Sequence, residues 1–435
     1  MALSANTVWE VRTTGNDNNG GGFVTGASGT DYSQQAAAQL TLTDLACLIA
    51  STTLTSATGG FTAAMVGNII QIKSGTNFVV GWYQIAAYTN TNTVTIDRTA
   101  CDGVGDASAG TGSVGGALAS PAVALAIGCW ATNGMRCWIK SGTYQTAAGI
   151  AIAALTGLIE GYESTRGDRG AKPLIQAMAG SISLFSGGGI YGGTHLINFK
   201  VDGDVQASVV GFSLGTGGIY KGTCLLCEAI HCATGFQTLH CVQCLADACE
   251  TGFSSGDGSG NEARLCTTYG FNGGGQRNSL ARGNAAGFNL SRSTCNTACT
   301  AVGNTTYGFN HNDSRGIACV DCLAVNNGGY GFQTSLSEVG VLVNCAGFNN
   351  TSGNVYGAPI LNEGFLDLSA DPFMDAAGHD YRPNNIAGGG AALRAAGVGV
   401  ASQTNNEDIG AVQHTDPAGG GGLLIHPGMD GGMRG

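Results

Sequence analysis

The sequence predicts an all-β chain, a right-handed parallel β-helix (solenoid) with an N-terminal mainly-β cap or attachment domain and a Gly-rich C-terminal tail. Three observations carry that expectation: an internal period of 17 to 23 residues, a recurring Gly-Phe step, and a composition rich in corner-forming residues and poor in charge.

The period comes first. Cys227 to Phe236 aligns with Cys244 to Phe253 at an interval of 17, and Cys224 and Cys241 repeat at the same spacing. Further along, Cys299, Cys322 and Cys345 lie 23 residues apart, each followed five residues later by an Asn: Asn304, Asn327 and Asn350. The Gly-Phe step begins at Gly211, Gly235, Gly252, Gly270, Gly287, Gly308, Gly331 and, in a different phase, Gly347. Its intervals of 16 to 24 residues fit one coil of a solenoid and are too short for two packed helices with their turns. Apolar patches rich in β-branched residues, such as Val341 to Val343 and Ile317 to Val320, read as strands.

In a parallel solenoid each residue stands about 4.8 Å above its equivalent in the coil below, so equivalent residues form columns. The Phe of each step is expected to stack inside, and its Gly to allow a corner at positive φ. Asn is expected to pair its amide with the Asn above while tolerating a left-handed turn, and Cys to act as a small apolar core residue.

Taken in order, residues 1–118 form the cap or attachment domain, with strands over Asn68 to Lys73 and Val79 to Ile85 and one helix over Gln34 to Ala50. Coils occupy 119–360, with Cys137 to Tyr144 and Gly157 to Tyr162 as the first rungs. Residues 361–416 close the helix. The tail, 417–435, carries Leu423, Leu424 and Ile425 among glycines and needs a partner to become ordered.

Composition excludes several classes. The 74 Gly follow no three-residue period, which rules out collagen. A net charge of -11 with only 18 Lys plus Arg leaves no basic surface for a phosphate backbone, so no nucleic-acid partner is expected. The first residues lack a basic and apolar leader, and no stretch approaches 18 uninterrupted apolar residues. The expectation is a chain made in the cytoplasm without signal peptide, transmembrane segment or membrane partner. Its 16 Cys would be reduced during synthesis.

Particular residues also carry a family likeness. Gly142-Thr143-Tyr144, Ile159-Glu160-Gly161-Tyr162 and Thr165-Arg166-Gly167-Asp168 resemble the opening coils of the pectate-lyase-like right-handed parallel β-helix superfamily. Ala370 to Phe373, His379 to Pro383 and Asp408 to Val412 look like the closing segment of large bacterial and phage β-helix proteins. The N-terminal segment, from Thr7 to Arg12 through to Gly115 to Ser120, and the C-terminal tail are similar to phage and environmental β-helix proteins. That resemblance implies a virion component, often a homotrimer. It specifies a fold well and a reaction poorly, because this fold hosts lyases, hydrolases, adhesins and viral fibres.

Candidate chemistry is sparse. Sugar-cleaving β-helices need two or three carboxylates on adjacent rungs, so that acid and base flank one glycosidic bond. The candidates are Asp202 and Asp204, with Glu160 and Glu228 on neighbouring coils. The spacing of Cys224 and Cys227 against Cys241 and Cys244 fits a four-thiolate zinc site. The 17-residue repeat explains the same four together with Cys232 and Cys249, and a reduced packing ladder or disulfides formed later are the other readings. Gly256 to Gly260 imitates a phosphate loop but has no Lys after it, and reads as a corner insertion. No cofactor is expected.

The leading expectation is therefore a non-enzymatic structural or attachment component of a phage-like virion, a tail spike, head fibre or decoration protein. It would reside in the virion and bind other virion proteins, copies of itself or host surface glycans. The alternative is a polysaccharide-degrading tail-spike enzyme, a hydrolase or lyase, with Tyr191, Tyr220 and Tyr330 lining a sugar groove beside acidic side chains. A bacterial surface adhesin is the third reading.

Overall fold

The computed structural model describes residues 3–413 apart from 5, 128–135, 153–156, 188–194, 205, 216–221, 238–239, 255, 291–293, 312–316, 335–339, 358, 360, 395 and 398–407. The chain forms two compact units, Met1–Cys227 and Glu228–Gly435. Each carries coils of the right-handed parallel β-helix, three strands per turn feeding three parallel sheets. The tail 417–435, Tyr191 and Tyr220 lie outside the described residues.

The first unit also contains a closed six-stranded antiparallel barrel built from Leu40–Cys47, Thr53–Ser56, Ile69–Thr76, Gly81–Asn90, Thr93–Ile96 and Ala107–Val114. Its core includes Leu42, Leu45, Phe61, Ile70, Tyr83 and Val94. The helix expected over Gln34 to Ala50 is absent. Leu40, Leu42, Leu45 and Cys47 alternate with Thr and Asp at strand period, with register shifts between Leu42 and Leu45 and between Leu45 and Cys47, so the apolar set faces the barrel only in an extended chain.

Outside the barrel, Thr7–Val11 pairs in parallel with Arg136–Lys140, which pairs with Leu158–Tyr162, then His195–Ile197 and Thr223–Leu225. Trp9, Cys137, Ile159, Leu196 and Cys224 form the inward column of this first sheet, all fully buried. A short helix, Pro121–Ala126, is capped by Ser120, whose side chain accepts from Val123 N.

In the second unit the columns are regular. The first sheet runs from His240–Val242 to Leu361–Glu363, the second from Glu228–Ile230 to Leu366–Asp367, the third from Thr234–Gln237 to Gly353–Tyr356. Phe236, Phe253, Phe271, Phe288, Phe309 and Phe332 stack along the third sheet with ring centroids 4.6 to 4.9 Å apart and planes within 8° of parallel. The second sheet turns Ala229, Ala246, Ala263, Ala281, Ala301 and Ala324 inward.

The glycines of the Gly-Phe step serve a different purpose from the one expected. None of Gly235, Gly252, Gly270, Gly287, Gly308 and Gly331 has positive φ. A Cβ on Gly252 would instead stand 2.6 Å from Gly270 O, and one on Gly308 2.7 Å from Gly331 O. Close approach of successive coils, not a left-handed corner, excludes a side chain there.

The left-handed corners fall elsewhere. Gln243, Asn278, Ala298, Asp321 and Asn344 end the first-sheet strands with φ between 48° and 57°. That conformation aims each N–H at the next coil, as in Asp321 N to Val343 O at 3.0 Å, so no corner donor is stranded. The following residue then points inward: Cys244, Ser279, Cys299, Cys322 and Cys345. At the second corner the left-handed residues are His231, Ala248, Leu265, Gly283, Gly303, Asn326 and Asn349, followed by buried Cys232, Cys249, Cys266, Asn284, Asn304, Asn327 and Asn350. The Asn ladder is therefore real, with Nδ2 to Oδ1 bonds of 3.1, 2.9 and 2.8 Å along Asn284, Asn304, Asn327 and Asn350. The left-handed turn belongs to the residue before each ladder Asn.

Gly256 to Gly260 is not a corner insertion, because Asp257–Ser259 is a regular first-sheet rung with Gly258 in the column of Cys241. The closing segment contributes a hairpin, Phe373–Asp375 with Asp380–Pro383, and a one-turn helix, Gly390–Leu393. Phe373, Tyr381, Leu393 and Ile409 pack on the outward face of the second sheet, against Leu280, Val302, Leu323 and Val325.

Candidate functional site

The closing segment covers only part of that face. Two outward columns run along the second sheet, Glu228, Leu245, Glu262, Leu280, Thr300, Leu323 in one and Ile230, Asp247, Arg264, Arg282, Val302, Val325 in the other. Where the closing segment lies, both columns are mainly apolar; where it stops, they carry Glu228, Asp247, Glu262, Arg264 and Arg282. Arg282 stands at the boundary, hydrogen-bonded to Tyr381 of the closing hairpin. Burial is the main cause raising the Tyr381 phenol above its ordinary pKa, and the charge of Glu262 adds to it.

The charges are ordered. Arg264 Nη2 donates to Asp247 Oδ2 at 2.7 Å, and Arg282 Nε donates to Glu262 Oε1 at 2.6 Å. The hydrogen bond to Asp247, with the charges of Asp247, Glu262 and Glu228, outweighs burial and raises the Arg264 guanidinium above its usual value. Asp247 Oδ1 is buried and has no hydrogen-bond partner among the described residues. Such an oxygen costs about 1 to 3 kcal/mol unless a ligand or water meets it. Rung spacing and strand rise put the Asp247 backbone about 8 Å from those of Glu228 and Glu262, and the two glutamates about 10 Å apart. Side chains on backbones so spaced can bring two carboxyls within the range of about 5 to 9.5 Å at which acid and base flank one glycosidic bond.

The other candidates are dispersed. Glu160 lies on the first sheet, buried, with Arg169 Nε 2.8 Å from its Oε1. Asp202 ends Lys200–Asp202 on the second sheet, and its Oδ1 accepts from Asp204 N at 2.8 Å; Asp204 is a left-handed turn residue with φ 47°. Glu160 and Asp202 therefore stand on different faces, whereas Glu228 joins the acidic group of the second unit. Cys224 and Cys241 occupy inward columns of their units. Cys227 donates to Leu196 O and Leu225 O, and Cys244 to Val242 O. Among the described residues no cysteine is in a disulfide and no group of His, Cys, Asp and Glu is arranged to hold a metal.

Sequence reasoning missed Asp247, Glu262 and the two arginines. The signal was available: adding the 17-residue period twice to Glu228 reaches Glu262. It also missed a buried group in the first unit. Glu10, fully buried, accepts from Arg12 Nε at 2.7 Å, from Arg166 Nε at 2.8 Å and from the Tyr162 hydroxyl, while Arg166 also reaches Asp31 and Ser33. Burial, then the Glu10 charge, pushes the Tyr162 phenol well above its usual value. With no accessible surface on Glu10 this group is a clasp, tying the segments around residues 12, 31–33 and 166 together. Separations of 135 to 156 residues gave no local signal.

The architecture defines the chain as a parallel β-helix protein, the fold of the pectate-lyase-like superfamily that the opening coils resembled. No protein-family model and no curated protein sequence matches it. Among solved structures it is similar to pectate lyase Pel9A, at 15% identity over 69% of this chain and 92% of that one, with a TM-score of 0.45. It is also similar to the Azotobacter vinelandii mannuronan C-5 epimerase AlgE4 A-module, at 14% identity over 53% and 82%, TM-score 0.36. A third is the catalytic unit of a thermostable GH87 alpha-1,3-glucanase from Streptomyces thermodiastaticus, at 11% identity over 79% and 95%, TM-score 0.29. The expectation of a non-enzymatic virion component is corrected here, since the similar structures are polysaccharide-acting enzymes. No helix among the described residues is long and apolar enough to cross a membrane.

Proposed function

We propose that the chain is a polysaccharide-cleaving enzyme whose reaction occurs on the uncovered face of the second sheet, with Glu228, Asp247 and Glu262 around the scissile bond. The observation that carries this reading is the unpartnered, buried Oδ1 of Asp247 between glutamates one rung to either side. Glu228, one rung from Asp247 on the same face, is assigned the role of proton donor. Asp247 acts as base: it takes a proton from water as the water oxygen bonds to the anomeric carbon, the glycosidic C–O bond breaks, and the leaving oxygen takes the proton of Glu228. Backbones about 8 Å apart leave room for that water between the two side chains, which supports inversion at that carbon.

The test is incubation of the full chain with mannuronan, pectate, α-1,3-glucan and bacterial surface polysaccharides, measuring new reducing ends and the anomer first released. At least one polymer is expected to be cut with inversion, and Asp247→Asn and Glu228→Gln are each expected to slow cutting by about 100-fold or more. No new ends from any polymer, or unchanged rates in both variants, would overturn the assignment.

A further inference from the structure

The third sheet of the second unit presents a different outward surface, whose strands carry no charged side chain in their two outward columns among the described residues. One column reads Asn272, Asn289, Asn310 and Gln333 on successive rungs. Asn289 Nδ2 donates to Asn272 Oδ1 at 2.8 Å and Asn310 Nδ2 to Asn289 Oδ1 at 3.2 Å, leaving each half-exposed amide with further donor and acceptor capacity.

The neighbouring column carries the rings. Tyr269 pairs with Ala286, and Tyr307 follows on the next rung, hydrogen-bonded to both Tyr269 and Asn310. Two rungs apart, these phenols meet only by lying across the small Ala286. Tyr330 repeats the arrangement: its ring lies 3.8 Å from where a Cβ on Gly353 would be, and its centroid is 4.7 Å from that of Tyr356, which follows Gln333 in the amide column. The column thus reads Tyr269, Ala286, Tyr307, Tyr330 and Gly353, with the small Ala286 and Gly353 beside the rings. Self-pairing of amides accounts for the Asn column alone and gives no reason for a tyrosine column beside it.

We propose that this face is a binding platform for a neutral polysaccharide chain lying along the coil axis, its sugar faces on the tyrosines and its hydroxyls on the amide column. Aromatic rings supply apolar area for the C–H faces of pyranoses, and amides match hydroxyls as both donors and acceptors. The described residues of these columns carry amides, hydroxyls and rings rather than charges, a chemistry that matches a neutral polymer, and the net charge of -11 disfavours polyanions. The platform is on a different sheet from the acidic group and does not depend on the cleavage reading.

The test is affinity electrophoresis of the full chain in gels containing a soluble neutral β-glucan, a soluble neutral α-glucan, a galactomannan or polygalacturonate. Retardation is expected with at least one neutral polymer and not with polygalacturonate. Tyr330→Ala and Asn310→Asp are expected to weaken it about tenfold each, with unchanged thermal unfolding, while Asp247→Asn leaves it intact. Three results would overturn the proposal: no retardation by any neutral polymer, retention unaffected by both platform variants, or sedimentation showing that both variants turn an oligomer into a monomer. The last would make the face a contact between copies of this chain.

Discussion

Replacing Asn327 by Ala tests the internal ladder directly. Asn327 Oδ1 accepts from Asn304 N at 3.1 Å and Asn304 Nδ2 at 2.9 Å, and Asn327 Nδ2 donates to Ala301 O at 3.2 Å and Asn350 Oδ1 at 2.8 Å. The Ala variant strands the fully buried Asn304 N–H, at a cost of about 1 to 3 kcal/mol. Asn304 Nδ2 keeps Ala281 O, and Asn350 Oδ1 keeps Asn327 N, so those two groups lose less. The sum is about 3 to 4 kcal/mol. Asn326, one residue earlier, is the comparison: its φ of 55° and its half-exposed bond to Asn349 predict a loss of only about 1 to 1.5 kcal/mol for Asn326→Ala. Urea unfolding followed by circular dichroism measures both. If Asn327→Ala lies within about 1 kcal/mol of Asn326→Ala, amide pairing does not stabilise the corner and the reasoning is refuted.

Gly252→Ala, with its Cβ 2.6 Å from a carbonyl oxygen, is expected to lose about 1 to 3 kcal/mol by the same assay, whereas Gly303→Ala, in open space at φ 63°, loses only about 1 kcal/mol. Burial pushes the Cys47 thiol up to about 11 and raises those of Cys137, Cys266, Cys319, Cys322 and Cys345. At pH 8 a thiol reagent should therefore label exposed Cys295 and spare those six until the chain unfolds, as peptide mapping would read. Burial lowers His311 to about 4, so between pH 6.5 and 4 the unfolded chain takes a proton that the folded chain refuses. Stability is expected to fall by about 3 kcal/mol as pH drops through that window, and the loss should vanish in His311→Gln.

The columns were legible because identical residues recur at coil spacing, and Cys, Phe and Asn at fixed offsets specify what stacks on what. Repetition does not say which backbone state each residue takes. Gly before Phe and Asn after a corner were therefore assigned left-handed turns that belong to Gln243, Ala298 or Asn326. Those corners accept many residue types because the gain is a backbone hydrogen bond to the next coil, and that leaves no residue signature. The barrel strand Leu40–Cys47 was misread as a helix because its register shifts break the alternation. In the candidate site Glu228 was visible as an isolated acid. Its partners appear only when the repeat is used to number rungs, because outward positions carry no repeated identity.

Outward freedom also explains where chemistry is placed. Inward positions of the second unit are fixed by volume: Ala in one column, Phe in another, Cys or Asn at the corners. Any rung therefore tolerates a new outward side chain at little cost to the core. What limits the outward face is cover. Leu280, Val302, Leu323 and Val325 must be apolar because Phe373, Tyr381, Leu393 and Ile409 lie on them, so ionisable groups are confined to rungs the closing segment does not reach. Asp247, Glu262, Arg264 and Arg282 occupy those rungs, with Arg282 touching Tyr381 at the edge. The reach of the closing segment thus sets the boundary of the charged face.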